Sequence, residues 1–251
     1  MKTLDSFKHD SPSFVPCREL ALNAPFEWLN KGWQDFRRVP WHSLTYGAIF
    51  FAIGWMLVYF SGNNESYFLL GLFISVLLVG PALFFGLYDT SRQLELNHEP
   101  SFRHERGKAF HEMGHELMLA LILSLVFMVM LLITSTVIDV VTRPGQPLVT
   151  AAVPMANEIF YFVAVIFAGL LYCANSFALP MILDQDADAA TAITTSLNAV
   201  WRNKSVLVLW GLLILALTAI GFATALIGFV FIVPVLGYAT WHAYRETILT
   251  S

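Results

Sequence analysis

Apolar residues collect in five blocks, 44–60, 67–88, 117–138, 159–183 and 206–241, separated by short polar stretches. Each of the first four has roughly the twenty residues that a helix needs to cross a hydrocarbon core of about 30 Å. The last block is 36 residues long. As a single helix it would reach about 54 Å, far more than that thickness. It must fold back, and the small residues at 221–224 are the expected turn, giving spans near 206–220 and 225–241. The predicted fold is all-α: a polytopic membrane protein with six transmembrane helices in three hairpins, the first turning at 61–64.

Charge orients these spans, because cationic flanks stay in the cytoplasm. Lys2, Lys8, Arg18, Lys31, Arg37 and Arg38 precede the first block, and Arg92, Arg103, Arg106 and Lys108 follow the second. Arg202 and Lys204 precede the last block and Arg245 follows it. Of 14 Lys and Arg residues, only Arg143 falls on the opposite side. The alternation demands an even number of spans with both termini cytoplasmic; five spans would export Arg245. Trp28, Trp33, Trp41, Trp201 and Trp241 fall at the same boundary, where indole rings are half-buried and their N–H groups wetted. Residues 1–20 lack an apolar core, so a cleaved signal peptide is not expected. Short loops and an uncleaved start suit a multi-pass protein of the bacterial inner membrane.

Composition agrees. The chain is 57% hydrophobic and 13% charged, whereas soluble domains carry about 25% charged residues. A net charge of −4, with no basic patch, argues against a nucleic-acid partner. Cys17 in the polar N-terminus and Cys173 within a span do not read as a disulfide framework. The expected organisation is a flexible polar N-terminus, 1–20, and a single membrane domain, 21–251.

One unit recurs three times, at about 21–92, 100–184 and 188–247: a short cytoplasmic amphipathic helix, a basic connector and two spans. Leu22, Phe26, Leu29, Trp33 and Phe36 form one helical stripe, and Ile193, Leu197, Val200 and Trp201 another. Such helices lie in the membrane interface or pack under the bundle. Segments 32–47 and 196–211 align without a gap, with Arg38 over Arg202 and Gly47 over Gly211. The middle unit keeps only Phe110, Met113 and Leu117.

The second span of each unit carries a proline, Pro81, Pro180 and Pro234, which frees a carbonyl and kinks the helix. Eight residues further on stand Asp89, Asp188 and His242; eleven on from the first and last stand Arg92 and Arg245. Two readings follow. The residues are ordinary helix-end groups that cap or snorkel, or with Asp184 they form a quasi-symmetric polar cluster at the cytoplasmic mouth.

Three stretches carry a resemblance: 86–92 (Gly-Leu-Tyr-Asp-Thr-Ser-Arg), 179–196 (beginning Leu-Pro-Met-Ile-Leu-Asp) and 234–245 (beginning Pro-Val-Leu-Gly-Tyr). They resemble a bacterial family of predicted integral membrane proteins, domain of unknown function 2189, over nearly all of the chain after about residue 20. Some of its members are labelled cytochrome c oxidase subunits. Haem–copper cores need several histidines within spans; here His42 and His242 lie at span edges and the others outside. The label therefore implies at most an accessory or assembly role beside a respiratory oxidase.

His111-Glu112-Met113-Gly114-His115 matches H-E-x-x-H, in which two histidines four apart share a zinc ion and the glutamate is general base. Glycine before the second histidine resembles membrane-embedded metalloproteases, whose third ligand is often an aspartate after a proline-containing span. Asp184 follows Pro180, but Gln185 stands where glycine is usual. The bland reading is a polar helix end beneath the headgroups. Asp184, Asp186 and Asp188 lack the glycine and closing glutamate of an EF-hand; capping suits Asp188 better. Coupled transporters keep ionisable groups at midplane; within these spans Asn175 is the polar residue that stands out. The leading reading is a non-enzymatic accessory, assembly or scaffold protein, without cofactor, whose partners are the lipid bilayer and other membrane proteins. The alternatives are a small-molecule transporter or channel, and a zinc metalloprotease built on His111, Glu112 and His115.

Overall fold

The computed structural model describes residues 15–61, 80–100, 172–185 and 187–249, together with 162, 166, 169 and 170. Among these the chain is helical: α1 (Ala24–Arg38), α2 (Pro40–Ser61), α3 (Gly80–Glu95), α4 (Ala178–Gln185), α5 (Ala189–Arg202), α6 (Lys204–Ala223) and α7 (Phe229–Thr247). Two of these helices are long and apolar enough to cross a membrane, Pro40–Phe60 with mean hydropathy 1.6 and Lys204–Ala223 with 2.6. The predicted span 117–138, most of 67–88, part of 159–183, the turn after Ser61, Asp186 and the 111–115 motif lie outside the described residues.

Proline sets the first junction. Val39 precedes Pro40, whose ring disfavours helical geometry at the residue before it; Val39 takes φ −130° and ψ 62°, and α1 ends there. At the position that aligns with Val39, Asn203 separates α5 from α6 with φ −113° and ψ 33°. No proline is involved. The Asn203 amide donates to the Ala199 and Arg18 carbonyls and accepts the Leu20 N–H, so a side chain holds this break open.

The long last block does fold back, slightly later than 221–224: α6 stays helical to Ala223 and the chain turns through 224–228. Thr224 accepts the Gly228 N–H on its hydroxyl at 2.9 Å, while Ala225 and Leu226 take the left-handed φ values 51° and 71°.

α7 is the axis of the fold. It packs against α1, α2, α3, α4 and α6, and its Phe229, Val233, Leu236, Tyr238, Trp241 and Tyr244 are buried. Close approach depends on small residues. A Cβ on Gly32 of α1 would stand 2.6 Å from the Val235 carbonyl oxygen. A Cβ on Gly47 of α2 would collide with the Val230 carbonyl. That carbonyl is the one from which Pro234 withholds an amide donor, so α2 docks where the axial helix is weakened. Gly211, aligned with Gly47, instead has the Tyr172 ring at an ordinary 3.5 Å.

Two expectations change. Trp28 and Trp241 are fully buried rather than at a lipid boundary. Trp28 meets Trp210 edge-on at 5.6 Å, and the indoles of Trp28 and Trp241 donate to Glu246 and Glu95, respectively. The stripe of α1 is also turned: Ala24, Trp28, Gly32 and Asp35 face inward with Phe36, whereas Leu22, Phe26 and Trp33 are exposed. Phe36 alone of the predicted stripe is buried, because the short distance to α7 admits small residues and one flat indole, not a row of large side chains.

Residues 15–20 strap the far side. Arg18 N–H donates to the Thr247 carbonyl, Leu249 N–H to that of Pro16, and Cys17 bridges Ile248. Val15 N–H reaches the Thr195 hydroxyl at 3.0 Å.

Candidate functional site

The last turns of α7 send polar side chains to its neighbours in succession. Tyr238 shares a hydrogen bond with Ser43 of α2. Trp241 and Arg245 reach Glu95 at the end of α3. His242 reaches Asp35 of α1, and Tyr244 and Arg245 reach Asp184 of α4. A helix with nearly every face buried must satisfy its polar groups within the protein, and these contacts do so.

Asp184 is the centre of one group. Its Oδ2 accepts from Tyr244 at 2.9 Å and from Arg245 at 3.2 Å, and its Oδ1 lies 3.4 Å from Arg92 Nε. Gln185 donates to the Tyr244 oxygen. Arg92 also stands 4.0 Å from Asp89, which accepts from Gln93 at 2.6 Å and is almost wholly buried. Burial first, then the neighbouring Asp184 charge, pushes the Tyr244 phenol above its ordinary range, so it serves as a donor. Burial opposes the charge on Arg245, but Glu95 and Asp184 outweigh it and raise its pKa.

Asp35 is the centre of the other group. It is buried, and its Oδ2 takes the Ser91 hydroxyl and His242 Nε2, each at 2.7 Å, while Arg38 stands 3.7 Å from Oδ1. Successive residues of α3 thus divide between the groups, Ser91 to Asp35 and Arg92 to Asp184.

Of the residues singled out in the sequence, Asp89, Arg92, Asp184 and Arg245 share the first group and His242 belongs to the second. Asp188 has a different task. It is the exposed N-cap of α5, accepting the Thr191 N–H at 3.1 Å, and those hydrogen bonds lower its carboxyl pKa. Pro81 lies in α3, Pro180 in the first turn of α4 and Pro234 inside α7. Ahead of Pro180, the Ser196 hydroxyl accepts the Phe177 N–H at 3.2 Å and donates to the Cys173 carbonyl at 2.7 Å. It thereby bridges two groups four residues apart, which would bond each other in an unbroken helix. Asp35, Glu95, Tyr244 and Ser196 carry this geometry without having been singled out. Among the described residues no cluster of three or more His, Cys, Asp or Glu side chains is placed to hold a metal ion.

The family model of domain of unknown function 2189, described as a predicted integral membrane protein, matches residues 68–184. Over residues 68–184 the chain is similar to that family. The match takes in Asp89, Arg92, Pro180 and Asp184 and stops short of 185–196 and 234–245, so it is narrower than the resemblance read from the three stretches. No curated protein and no solved structure matches the chain. The chain is an integral membrane protein, and the groups around Asp184 and Asp35 join its helices at the end of α7.

Proposed function

We propose that the chain is a six-span protein of the bacterial inner membrane, with both termini cytoplasmic, that acts without catalysis as an accessory, assembly or scaffold component. The observation that carries this reading is the mutual engagement of the polar side chains around α7. Asp89, Arg92, Glu95, Asp184 and Arg245 contact one another, as do Asp35 and His242. Such groups fix helices in place; a reactive site needs a group poised toward a substrate. Expressed at native level and extracted in mild detergent, the chain should co-purify in fixed stoichiometry with a membrane complex, for which a respiratory oxidase is the first to test. That complex should fail to assemble when the chain is deleted. Isolation of the chain alone, with solute flux in proteoliposomes, would favour a transporter instead. One tightly bound zinc ion, lost in His111→Ala and His115→Ala, would replace the reading with a metalloprotease.

A further inference from the structure

Two helix junctions present the same chemistry on the outside of the fold. α1 leaves Phe26 and Trp33 exposed, and Leu22 just ahead of it is exposed too. α5 repeats the arrangement, with Ala192, Thr195, Ser196 and Ala199 fully buried and Leu197 and Trp201 exposed. A helix on a soluble core buries its large apolar residues; both of these turn several of them out. Each helix then ends in a basic, tryptophan-bearing corner that opens a helix of membrane-crossing length. The first corner holds Arg37, Arg38 and Trp41, and the second Trp201, Arg202 and Lys204. Trp41 is 82% exposed and Trp201 79%. Arg38 and Arg202 approach Asp35 and Glu19, each at 3.7 Å, with more than half of each cationic side chain exposed. Arg37 and Lys204 are exposed and have no carboxylate partner among the described residues. The Lys204 ammonium lies 5.9 Å above the Trp201 ring.

We propose that these two corners bind anionic phospholipid, with the headgroup phosphate at the cations and the acyl chains along the exposed stripe and the span below it. The choice of occupant follows from what each candidate would leave uncovered. Inorganic phosphate would neutralise the cations and leave Leu22, Phe26, Trp41 and Trp201 in water. A zwitterionic lipid would cover the apolar residues and leave net positive charge beside a low-dielectric slab. An anionic lipid meets both needs: juxtamembrane cations attract it, and an amphipathic helix gains from immersion of its apolar side. The cation over the indole face of the same corner keeps charge and ring together at headgroup depth. The proposal does not depend on the accessory role.

The test uses the full chain in lipid nanodiscs and its own tryptophan fluorescence. Brominated phosphatidylglycerol should quench more strongly than brominated phosphatidylcholine at equal mole fraction. The excess should disappear in the doubly substituted Trp41→Phe, Trp201→Phe chain. Arg37→Gln and Lys204→Gln should each lower the preference for the anionic lipid about fivefold, while the melting temperature holds because both side chains are exposed. Equal quenching by the two lipids would overturn the proposal, as would a preference that survives removal of both cations. Loss of the preference on adding inorganic phosphate would reassign the corners to a soluble anion. Quenching by neither lipid, together with a dimer on native gels, would assign the faces to a second copy of the chain.

Discussion

Asp184 and Arg245 meet at 3.2 Å between the last turns of α4 and α7, and Arg92 of α3 occupies the other carboxylate oxygen. One carboxylate thus joins three helices. Its side chain is 13% exposed, so water supplies little of what these donors would lose without it. Asp184→Asn should cost about 1–3 kcal/mol, the usual result of leaving buried donors poorly matched. A melt followed by tryptophan fluorescence in detergent should show a clear drop in Tm. A melt unchanged from wild type would mean that the group adds nothing to stability.

Gly47 and Gly211 align in sequence but differ in what surrounds them. Gly47→Ala should destabilise by about 1–3 kcal/mol, because its methyl meets the Val230 backbone, which cannot give way. Gly211→Ala meets the Tyr172 ring at contact distance and should be neutral or stabilising by up to about 1 kcal/mol through helix propensity. Equal losses at both positions would contradict the packing described for α2.

Ser196→Ala should release the Phe177 amide and the Cys173 carbonyl together. The expected loss is about 1–3 kcal/mol, accompanied by faster hydrogen exchange at Phe177. Unaltered exchange there would show that the hydroxyl is not the bridge across the break before Pro180.

Asp188 supplies a pH signature. Its folded-state pKa is lowered by the hydrogen bonds from Thr191. The cap therefore contributes fully above the ordinary carboxylate value and fades as pH falls through the lower, folded value. The difference in Tm between wild type and Asp188→Ala should be constant near neutral pH and shrink only in acid. A difference that grows in acid would have the wrong sign for an ionised cap.

The six-span topology is open to reporter fusions. Those at Asn63 and Gly145 should read periplasmic, and those at Glu99, Asp186 and Ser251 cytoplasmic. A periplasmic reading after Ser251 would remove both the topology and the threefold unit.

Length and hydropathy made α2, α6 and the fold-back near 224 legible, because a bilayer constrains apolar length more tightly than packing does. The inward face of α1 was not legible. Periodicity finds the stripe of large apolar residues, but in a lipid setting those residues gain nothing by facing a neighbouring helix, where small ones allow closer contact. Trp28 and Trp241 misled for a related reason: an indole suits a headgroup boundary and an internal hydrogen bond to a glutamate equally well. Arg92 and Arg245 could be found from their spacing eleven residues after Pro81 and Pro234. The residue eight after Pro180 is Asp188, which caps α5 instead, and the carboxylate in the group is Asp184. Asp35 could not, since an acidic residue within a polar helical segment normally marks the solvated side. Glu95 and Tyr244 follow Arg92 and Trp241 by three residues, which puts each one turn from a partner in the network; that spacing was the available signal.

The strap at 15–20 has a bearing on the order of synthesis. Arg18 and Pro16 bond to Thr247 and Leu249, so the segment made early acquires these partners only after the ribosome has added residues more than two hundred positions later. The bonds of Val15 and Leu20 to Thr195 and Asn203 need only the chain up to residue 203. The strap is therefore closed on both sides only once residue 249 is made, and a nascent chain stalled before that point has its early segment held from the side of Thr195 and Asn203 alone.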